Sequence, residues 1–257
     1  MEFYKYHGTG NDFILIDNRE GKIKLTTEQV AHLCHRRFGI GADGLMLLEE
    51  EKGYDFKMVY YNSDGGESTM CGNGGRCMTA FAKELGIITT SALFVAIDGE
   101  HTATIHQDGL ISLHMKDVDN MEIHDGYTIL NTGSPHYVKW VQDVVHVDVY
   151  GEGNAIRNQD EFQPKGINVN FVHAIATNKL LVRTYERGVE DETYSCGTGV
   201  VASAIAATKE MTGIFATTIE TPGGNLEVTF TKHTPHSAMT VVLTGPAALV
   251  FKGDIAL

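Results

Sequence analysis

Two cysteines stand at closely similar glycine-rich turns, each followed by a segment with the composition of a buried helix. Cys71 begins the run Cys-Gly-Asn-Gly, and Cys196 begins the run Cys-Gly-Thr-Gly. The backbone N–H groups at a helix start, together with the helix dipole, stabilise an anion, so they lower the pKa of a thiol and can bind a carboxylate. A single cysteine in this position could equally be a small packing residue. Two cysteines at matching positions predict a functional pair.

Two such thiols suit a reaction in which a proton leaves one face of a carbon atom and another arrives on the opposite face. One cysteine would act as a thiolate base and the other as a thiol acid, with the substrate held between two domains. The two helix starts would bind the substrate carboxylate and stabilise the carbanion as it forms. This chemistry inverts a stereocentre without a cofactor.

The other two cysteines, Cys34 and Cys77, lie inside predicted helices and are interpreted as packing residues. The gap between Cys71 and Cys77 is longer than the usual spacing of paired zinc ligands, so no metal site is predicted. A thiol–disulfide redox protein would be expected to carry C-x-x-C, which the sequence lacks. A module that only binds an amino acid would not need thiols at both helix starts.

The elements that would position the two cysteines are short strands and three helices. Short runs rich in β-branched and aromatic residues recur along the chain and predict strands and hairpins. Residues 26–37, 74–85 and 197–211 predict helices, the first of which opens with a capping-box pattern. Residues 200–207 carry no charge, which predicts that the third helix is enclosed by a sheet.

An internal repeat indicates that the chain consists of two related halves. The Cys71 turn matches the Cys196 turn at a spacing of 125 residues. Upstream of these turns the spacing is 123, and residues 59–65 match residues 182–188. The sequence therefore predicts an α+β protein of two pseudo-symmetric domains, each a mostly antiparallel β-sheet curled around a central helix.

We predict domains at residues 1–116 and 117–246, and the sequence leaves open whether residues 247–257 return to the first domain. The 257 residues include 33 acidic and 20 basic ones, and the resulting net charge of −13 argues against a nucleic-acid partner. The first residues lack a signal-peptide pattern, and the uncharged stretch at residues 238–251 is too short to span a membrane. These observations predict a cytoplasmic protein that has a small-molecule substrate and no membrane partner.

Six motifs carry a resemblance to a known family. They are His-Gly-Thr-Gly-Asn-Asp-Phe at residues 7–13, Gly-Ile-Gly-Ala-Asp-Gly at 39–44, Tyr-Asn-Ser-Asp-Gly at 61–65, Met-Cys-Gly-Asn-Gly-Gly-Arg-Cys at 70–77, Tyr-Glu-Arg-Gly at 185–188 and Ser-Cys-Gly-Thr-Gly at 195–199. With these motifs the chain resembles the diaminopimelate epimerases, which belong to a superfamily of cofactor-independent racemases that includes proline racemase. The resemblance covers essentially the whole length.

The resemblance implies an isomerase that interconverts LL- and meso-2,6-diaminopimelate, without pyridoxal phosphate or metal. The step would serve the synthesis of lysine and peptidoglycan precursors, and a homodimer is expected from the family alone. The alternative on the same fold is racemisation of another amino acid, such as histidine or a proline derivative. Arg187 with Asn62 and Asn168 favours a substrate with a second carboxylate and amine, so diaminopimelate is the leading hypothesis.

The resemblance also assigns candidate site residues. Cys71 and Cys196 match the catalytic acid/base cysteines, and Glu186 is a further catalytic candidate. His136 matches a histidine near the catalytic cysteine of the first domain, with proton relay and positioning both open as its role. The candidates for substrate binding are Gly72, Asn73, Gly197 and Thr198 at the reacting carboxylate, Asn11 and Glu186 at the reacting amino group, and Asn62, Asn168 and Arg187 at the distal end.

The chain departs from the family pattern in three places. Gly44 stands where the family commonly has Gln, and Ser134 stands where it commonly has Asn. The stretch from Glu186 to Cys196 is one residue longer than in relatives and contains the acidic run at residues 190–192. These departures predict altered substrate contacts, with one or two of them missing or supplied by water.

Overall fold

The computed structural model describes residues 1–256, and the chain divides into two compact units. Unit 1 comprises residues 1–113 together with the residues from 245 onward, and unit 2 comprises His114–Thr244. Leu257, which belongs to the segment left open by the sequence, lies outside the described residues. The domain boundaries at residues 116 and 246 stay a prediction, because compactness alone does not show that either unit folds by itself.

Unit 1 begins with eight strands and two helices. They are β1 (Glu2–Gly8), β2 (Asn11–Asp17), α1 (Thr27–Cys34), β3 (Gly44–Glu49), β4 (Phe56–Asn62), β5 (Glu67–Ser68), α2 (Gly72–Glu84), β6 (Ser91–Ala96), β7 (Gly99–Ile105) and β8 (Ile111–His114).

Unit 2 contains the next nine strands and two further helices. They are β9 (Met121–Ile123), β10 (Tyr127–Asn131), β11 (Pro135–Trp140), α3 (Val149–Arg157), a 3₁₀ turn (Asp160–Phe162), β12 (Asn168–Ala176), β13 (Lys179–Glu186), β14 (Asp191–Thr193), α4 (Gly197–Ala207), β15 (Gly213–Thr221), β16 (Gly224–Lys232) and β17 (Met239–Gly245). The chain then forms β18 (Ala248–Asp254), which pairs antiparallel with β1 of unit 1.

The two units have the same sheet topology. The strand order is β18-β1-β2-β3-β4-β6-β7-β8 in unit 1 and β9-β10-β11-β12-β13-β15-β16-β17 in unit 2. Both sheets are antiparallel except at two equivalent neighbours, β2–β3 and β4–β6 in unit 1 and β11–β12 and β13–β15 in unit 2. The predicted α+β class and the internal repeat are confirmed.

One helix in each unit is buried against the sheet. Helix α2 packs against strands β1, β2, β3 and β7, and α4 packs against six strands of unit 2, from β10 to β16. In α4, Val200, Val201 and Ile205 are each 0% exposed. Burial of each such side chain stabilises the fold by about 1.5–3 kcal/mol. The prediction that the uncharged helix is enclosed is therefore confirmed.

The remaining helices differ from the prediction. Thr26 caps α1 with both hydrogen bonds of the capping box, but the helix ends at Cys34 instead of residue 37. It stops there because the backbone N–H groups of Ile40 and Gly41 fold back and donate to Leu33 O. Helix α3 was not predicted, since its sequence contains two glycines within nine residues.

Candidate active site

Cys71 is the N-terminal cap of helix α2. Its backbone has extended dihedral angles, and its Sγ accepts a hydrogen bond from the backbone N–H of Gly74 at 3.2 Å. The N–H groups of the first turn and the helix dipole favour a negative charge on this sulfur. A Cβ at Gly74 would overlap the flexible end of Met46 and come within 3.1 Å of Cys71 Sγ, so glycine allows the close approach without displacing Met46. The geometry suits a thiolate.

Cys196 occupies the same place at the start of helix α4. It is the N-terminal cap residue, it is 6% exposed, and its Sγ lies 3.5 Å from Thr198 Oγ1. The backbone carbonyl of Thr198 accepts a hydrogen bond from the Thr132 hydroxyl at 2.9 Å, which fixes the first turn of the helix to the loop before β11. The two cysteines singled out by the sequence therefore have equivalent positions in their own units.

Asn11 and Asn73 lie next to each other at the start of α2. Asn11 Oδ1 accepts from Asn73 Nδ2 at 3.4 Å, and Asn11 Nδ2 donates to Asp43 Oδ2 at 2.7 Å. Asn73 Oδ1 in turn accepts from Thr9 and from Arg76. Because both amides are held at both ends, their orientations are fixed before any ligand arrives.

A charged cluster lies behind Asn11. Arg36 bridges Asp12 at 2.7 Å and Asp43 at 2.6 Å, and Lys5 contacts Asp12 at 2.7 Å. Burial of the Asp12 carboxyl opposes its ionisation, but the hydrogen bonds and charges of Arg36 and Lys5 hold its pKa well below the usual range. The cluster stays ionised at neutral pH and anchors the side chain of Asn11.

Arg76 is a fully buried cation in the second turn of α2. Its guanidinium donates to Gly72 O at 3.0 Å, to Asn73 Oδ1 at 2.8 Å and to Pro246 O at 3.3 Å. Burial lowers the pKa of Arg76 to about 10, while the neighbouring Cys77 and Cys71 oppose that shift. The side chain is thus protonated at neutral pH, and its charge interacts with Cys71. Sequence reasoning missed this residue, since an arginine in a helix usually faces solvent.

His136 lies in unit 2 beside the start of α4. It is 0% exposed, and its Nε2 is 2.9 Å from Thr198 Oγ1. Burial, assisted by the charge of Arg187, lowers the pKa of His136 to about 3. The contact to Thr198 connects His136 with Cys196, whereas the family resemblance associated this histidine with the cysteine of the first domain.

A hydrogen-bonded group lies at the start of β12 and consists of Asn168, Arg187 and Ser134. Asn168 Oδ1 accepts from the backbone N–H of Arg187 at 2.9 Å, and Asn168 Nδ2 donates to Ser134 Oγ at 2.8 Å. The Arg187 guanidinium donates to the same Ser134 oxygen at 3.2 Å. Ser134 replaces the family's Asn, yet it still joins the two residues predicted to bind the distal end of the substrate.

The loop that carries Arg187 is held by Glu190, the first residue of the acidic run at residues 190–192. Glu190 adopts a left-handed backbone with φ of 60°. Its carboxylate accepts hydrogen bonds from Arg157, from Tyr185 Oη and from the backbone N–H of Gly188. Burial of the Glu190 carboxyl opposes ionisation, but these hydrogen bonds lower its pKa. These contacts therefore fix the loop.

Two predicted residues at the ends of strands have different surroundings. Glu186, the last residue of β13, accepts a hydrogen bond from the Thr193 hydroxyl at 3.0 Å. Asn62 is exposed at the end of β4, opposite Gly44 of β3. A side chain at Gly44 would come within 2.5 Å of the Tyr60 ring, so the Gln of relatives would fit here only if Tyr60 moved.

The candidate residues are shared by both units. Unit 1 holds Cys71 and the substrate-binding candidates Asn11, Asn62, Gly72 and Asn73, and unit 2 holds Cys196, His136, Asn168, Glu186, Arg187, Gly197 and Thr198. Burial raises the pKa of the remaining two thiols, Cys34 and Cys77, which agrees with their interpretation as packing residues.

Within residues 1–256, no three His, Cys, Asp or Glu side chains are grouped so that they could hold a metal ion. None of the helices in the described part of the chain is long and apolar enough to cross a membrane.

Comparison with known proteins gives consistent results for sequence and fold. The family model for diaminopimelate epimerase matches residues 3–120 and 128–250. The chain is 54% identical to a diaminopimelate epimerase from Flavobacterium psychrophilum, covering 99% of this chain and 100% of the relative. It is 42% identical to that of Chlorobaculum tepidum, covering 97% and 99%.

Solved structures with low sequence identity share the fold. A phenazine biosynthesis protein of the PhzF family from Bacillus anthracis matches with a TM-score of 0.78 at 13% identity, covering 100% of this chain and 99% of that one. A hydroxyproline epimerase from Agrobacterium vitis matches with a TM-score of 0.68 at 15% identity, covering 100% and 92%. By sequence and by family model, the chain belongs to the diaminopimelate epimerase family.

Proposed function

We propose that this protein is an isomerase that inverts one Cα of LL-2,6-diaminopimelate to give the meso isomer, a step in lysine biosynthesis. The observation that carries the proposal is the matched pair of cysteines, each at the N-terminus of a buried helix in two units of one topology. The 54% identity to a diaminopimelate epimerase over 99% of the chain supports the same substrate.

The reaction proceeds by two proton transfers on opposite faces of the reacting carbon. A cysteine thiolate takes the α-proton and becomes a thiol, and the electron pair left on carbon delocalises into the carboxylate. The second cysteine, a thiol, donates its proton to the other face and becomes a thiolate. Each step moves only a proton between sulfur and carbon, so the reaction as proposed needs no metal and no pyridoxal phosphate.

The helix starts stabilise the charge that develops on the substrate. The backbone N–H groups of Gly72 and Asn73 in α2 and of Gly197 and Thr198 in α4 bind the reacting carboxylate. These donors lie in the first turns of their helices, where backbone N–H groups have no acceptor within the helix. Charge on the carbanion is therefore balanced by fixed dipoles.

The remaining candidates bind the two ends of the substrate. Asn11 and Glu186 hold the reacting amino group, for which the Glu186 carboxylate supplies a negative charge. Arg187 and Asn168 bind the distal end, and Asn62 contributes from β4. The shared oxygen of Ser134, which accepts from both Asn168 and Arg187, supports this distal arrangement. A substrate with one amino acid centre would leave these groups unpaired, which favours diaminopimelate over histidine or a proline derivative.

The hydrogen bond of His136 to Thr198 favours positioning as its role. Its pKa of about 3 means that the imidazole is neutral at the pH of the cytoplasm and is not ready to protonate a carbanion. Its hydrogen bond to Thr198 supports a structural link to the start of α4.

We also propose that the protein is a cytoplasmic homodimer. Strand β18 carries apolar side chains that are partly exposed: Leu249 at 44%, Val250 at 55% and Phe251 at 47%. Burial of this strand against a second copy would remove apolar surface from water. Size-exclusion chromatography with light scattering measures the mass; a monomer at micromolar concentration would refute the homodimer.

The proposed activity is tested by incubating the protein with LL-diaminopimelate in D₂O and separating the stereoisomers by chiral chromatography. At low conversion, mass spectrometry should find one deuterium at the inverted centre of the meso product and little in recovered LL substrate, since the donor thiol has exchanged with solvent. The distal centre should keep its protium. Absence of the meso isomer would refute the activity, and product without deuterium would refute the two-base mechanism.

A further inference from the structure

A row of buried polar side chains leads from strand β13 to the start of helix α4. It contains Thr184, Asn170, His136 and Thr198, of which Asn170 and His136 are 0% exposed and Thr184 is 3% exposed. The last member, Thr198, lies 3.5 Å from Cys196 Sγ through its Oγ1. Buried polar groups are costly unless each is hydrogen-bonded, so the direction of every bond in this row is constrained.

The side-chain amide of Asn170 can adopt only one orientation. Its Nδ2 donates to the backbone carbonyl of Tyr137 at 3.3 Å, and its Oδ1 accepts from the Thr184 hydroxyl at 3.0 Å. A flipped amide would place its oxygen against the Tyr137 carbonyl, with two acceptors facing each other. The nitrogen of Asn170 therefore also faces His136 Nδ1, at 3.1 Å.

The amide of Asn170 decides the tautomer of His136. Because Nδ2 of Asn170 is a donor, His136 Nδ1 must accept, and the ring proton must sit on Nε2. That Nε2–H points to Thr198 Oγ1 at 2.9 Å. With its oxygen accepting from His136, the Thr198 hydroxyl has its own proton available for the sulfur of Cys196.

We propose that Asn170 is a positioning residue which, through the tautomer of His136, makes the Thr198 hydroxyl donate a hydrogen bond to the Cys196 thiolate. The proposal rests on the proposed function in one respect, which is that Cys196 cycles between thiol and thiolate. A hydrogen bond to the charged form of a group stabilises that form. Asn170 and Thr184 touch no reacting atom and are not part of the family motifs.

Two further features support a fixed direction of the hydrogen bonds in this row. The pKa of His136 lies near 3 because of burial and the charge of Arg187, so the ring does not titrate between pH 5 and 9 and the row keeps its direction there. A Cβ at Gly199 would collide with Asn170 Oδ1, so the first turn of α4 rests directly on the amide and leaves it no freedom to turn.

The experiment measures the alkylation rate of Cys196 by iodoacetamide between pH 5 and 10, in the full-length protein without substrate. Peptide mass spectrometry follows Cys71 in the same sample as an internal reference. We expect Thr198→Val to raise the pH of half-maximal alkylation of Cys196 by about one to two units, the size of a lost hydrogen bond to a charged group, and to leave Cys71 unchanged. Thr198→Ser should restore the profile, and the control Thr217→Val, at a buried threonine on β15, should not shift it.

Asn170→Asp tests the direction of the row. A carboxylate accepts where the amide donated, so His136 would carry its proton on Nδ1, and its Nε2 would accept from Thr198. The hydroxyl would then turn away from Cys196, and the alkylation profile of Cys196 should move to higher pH by about as much as in Thr198→Val. A carboxylate could also act on Cys196 through its negative charge alone.

A double-mutant cycle separates these two effects. If Asn170 acts through Thr198, Asn170→Asp should add no shift in a Thr198→Val background. An equal shift in both backgrounds would overturn the proposal, because it would show a direct effect of charge. An unchanged Cys196 profile in Thr198→Val would also overturn it, and that measurement holds even if the Asn170 variant does not fold. Alkylation needs no substrate, so either result is independent of whether the protein epimerises diaminopimelate.

Discussion

The two cysteine turns share a topology and differ in their electrostatics. Below Cys71, the buried guanidinium of Arg76 donates to Gly72 O and Asn73 Oδ1, at the start of α2. At the matching position 125 residues later stands Val201, which is 0% exposed in a helix without a single charged residue. Near Cys196, the hydroxyl of Thr198 lies within hydrogen-bond distance of the sulfur, and behind it lies His136, which burial keeps neutral.

This difference shows how a repeated fold can treat two identical side chains unequally. A two-base inversion needs one thiolate and one thiol at the start of each turnover. A buried cation favours the charged form of a nearby thiol through its full charge, whereas a neutral hydroxyl favours that form through a single donated hydrogen bond. The topology therefore supplies two equivalent positions for sulfur, and the surrounding side chains set their acidities separately.

The largest effect is expected from removing either sulfur. Cys71→Ala and Cys196→Ala should each lower kcat by at least about 10³-fold, because each removes one of the two proton carriers. Chiral chromatography measures turnover, and circular dichroism checks the fold. Cys34→Ala and Cys77→Ala, at buried positions, should keep activity and lose about 1 kcal/mol of stability. Substantial turnover by either Cys71→Ala or Cys196→Ala would contradict the mechanism in which both cysteines carry protons.

The next largest effects are expected from Arg187 and Asn62, the candidates from the two units for binding the distal end of the substrate. Arg187→Met should lower kcat/KM for diaminopimelate by about 100-fold, because it removes the charged guanidinium, which donates to Ser134 Oγ. Asn62→Ala, at an exposed position of unit 1, should lower it by about tenfold or less. Steady-state kinetics with diaminopimelate, histidine and proline measure both effects. Better turnover of histidine or proline by the wild type would contradict the proposed distal contacts.

The role of the buried cation is tested by Arg76→Met. Without the guanidinium charge the pKa of Cys71 should rise by about one unit or more, so its alkylation by iodoacetamide at pH 7 should slow. Cys196 in the same sample should react as before. Val201→Ala, at the matching position, is expected to reduce stability without changing the reactivity of either cysteine. An unchanged Cys71 profile in Arg76→Met would show that the helix N–H groups alone set its acidity.

The smallest expected effects come from the matched glycines Gly74 and Gly199. A methyl group at Gly74 meets the flexible end of Met46, whereas at Gly199 it meets the fixed amide oxygen of Asn170. Alanine gains up to about 1 kcal/mol of helix propensity at both positions, so the difference between the variants isolates the clash. Urea unfolding should show a loss of about 2 kcal/mol for Gly199→Ala and about 1 kcal/mol or less for Gly74→Ala. Equal losses would indicate that the Asn170 amide can move.

The sequence contained enough information for the fold class and for the two cysteine turns. Composition predicted the enclosed helix at Val200–Ile205, and the repeat predicted two similar halves, because both features depend on residues close together in the chain. Helix α3 escaped prediction because its two glycines lower helix propensity, while Asp148 caps it through a hydrogen bond from Gly151 N. A cap of this kind depends on one side-chain rotamer.

The residues that hold the site residues in place were less predictable from the sequence than the site residues themselves. The burial of Arg76 and the hydrogen bonds of Asn170 arise from strands far apart in sequence, so no local pattern reveals them. The altered substrate contact expected at Ser134 stays a prediction, but no sequence pattern reveals that its oxygen joins Asn168 to Arg187. Glu190 lies in the acidic run at residues 190–192, and its left-handed backbone accompanies the hydrogen bond that its carboxylate accepts from Gly188 N.

The pairing of β1 with β18 has a consequence for the order in which the protein can fold. In unit 2 the equivalent outer strand, β9, directly precedes β10, so that sheet is assembled from one continuous stretch of chain. The outer neighbour of β1 is synthesised only after the whole of unit 2. Such non-local pairing slows folding and leaves an unpaired edge exposed in the meantime. A nascent chain therefore keeps one edge of β1 unpaired until β18 has emerged from the ribosome.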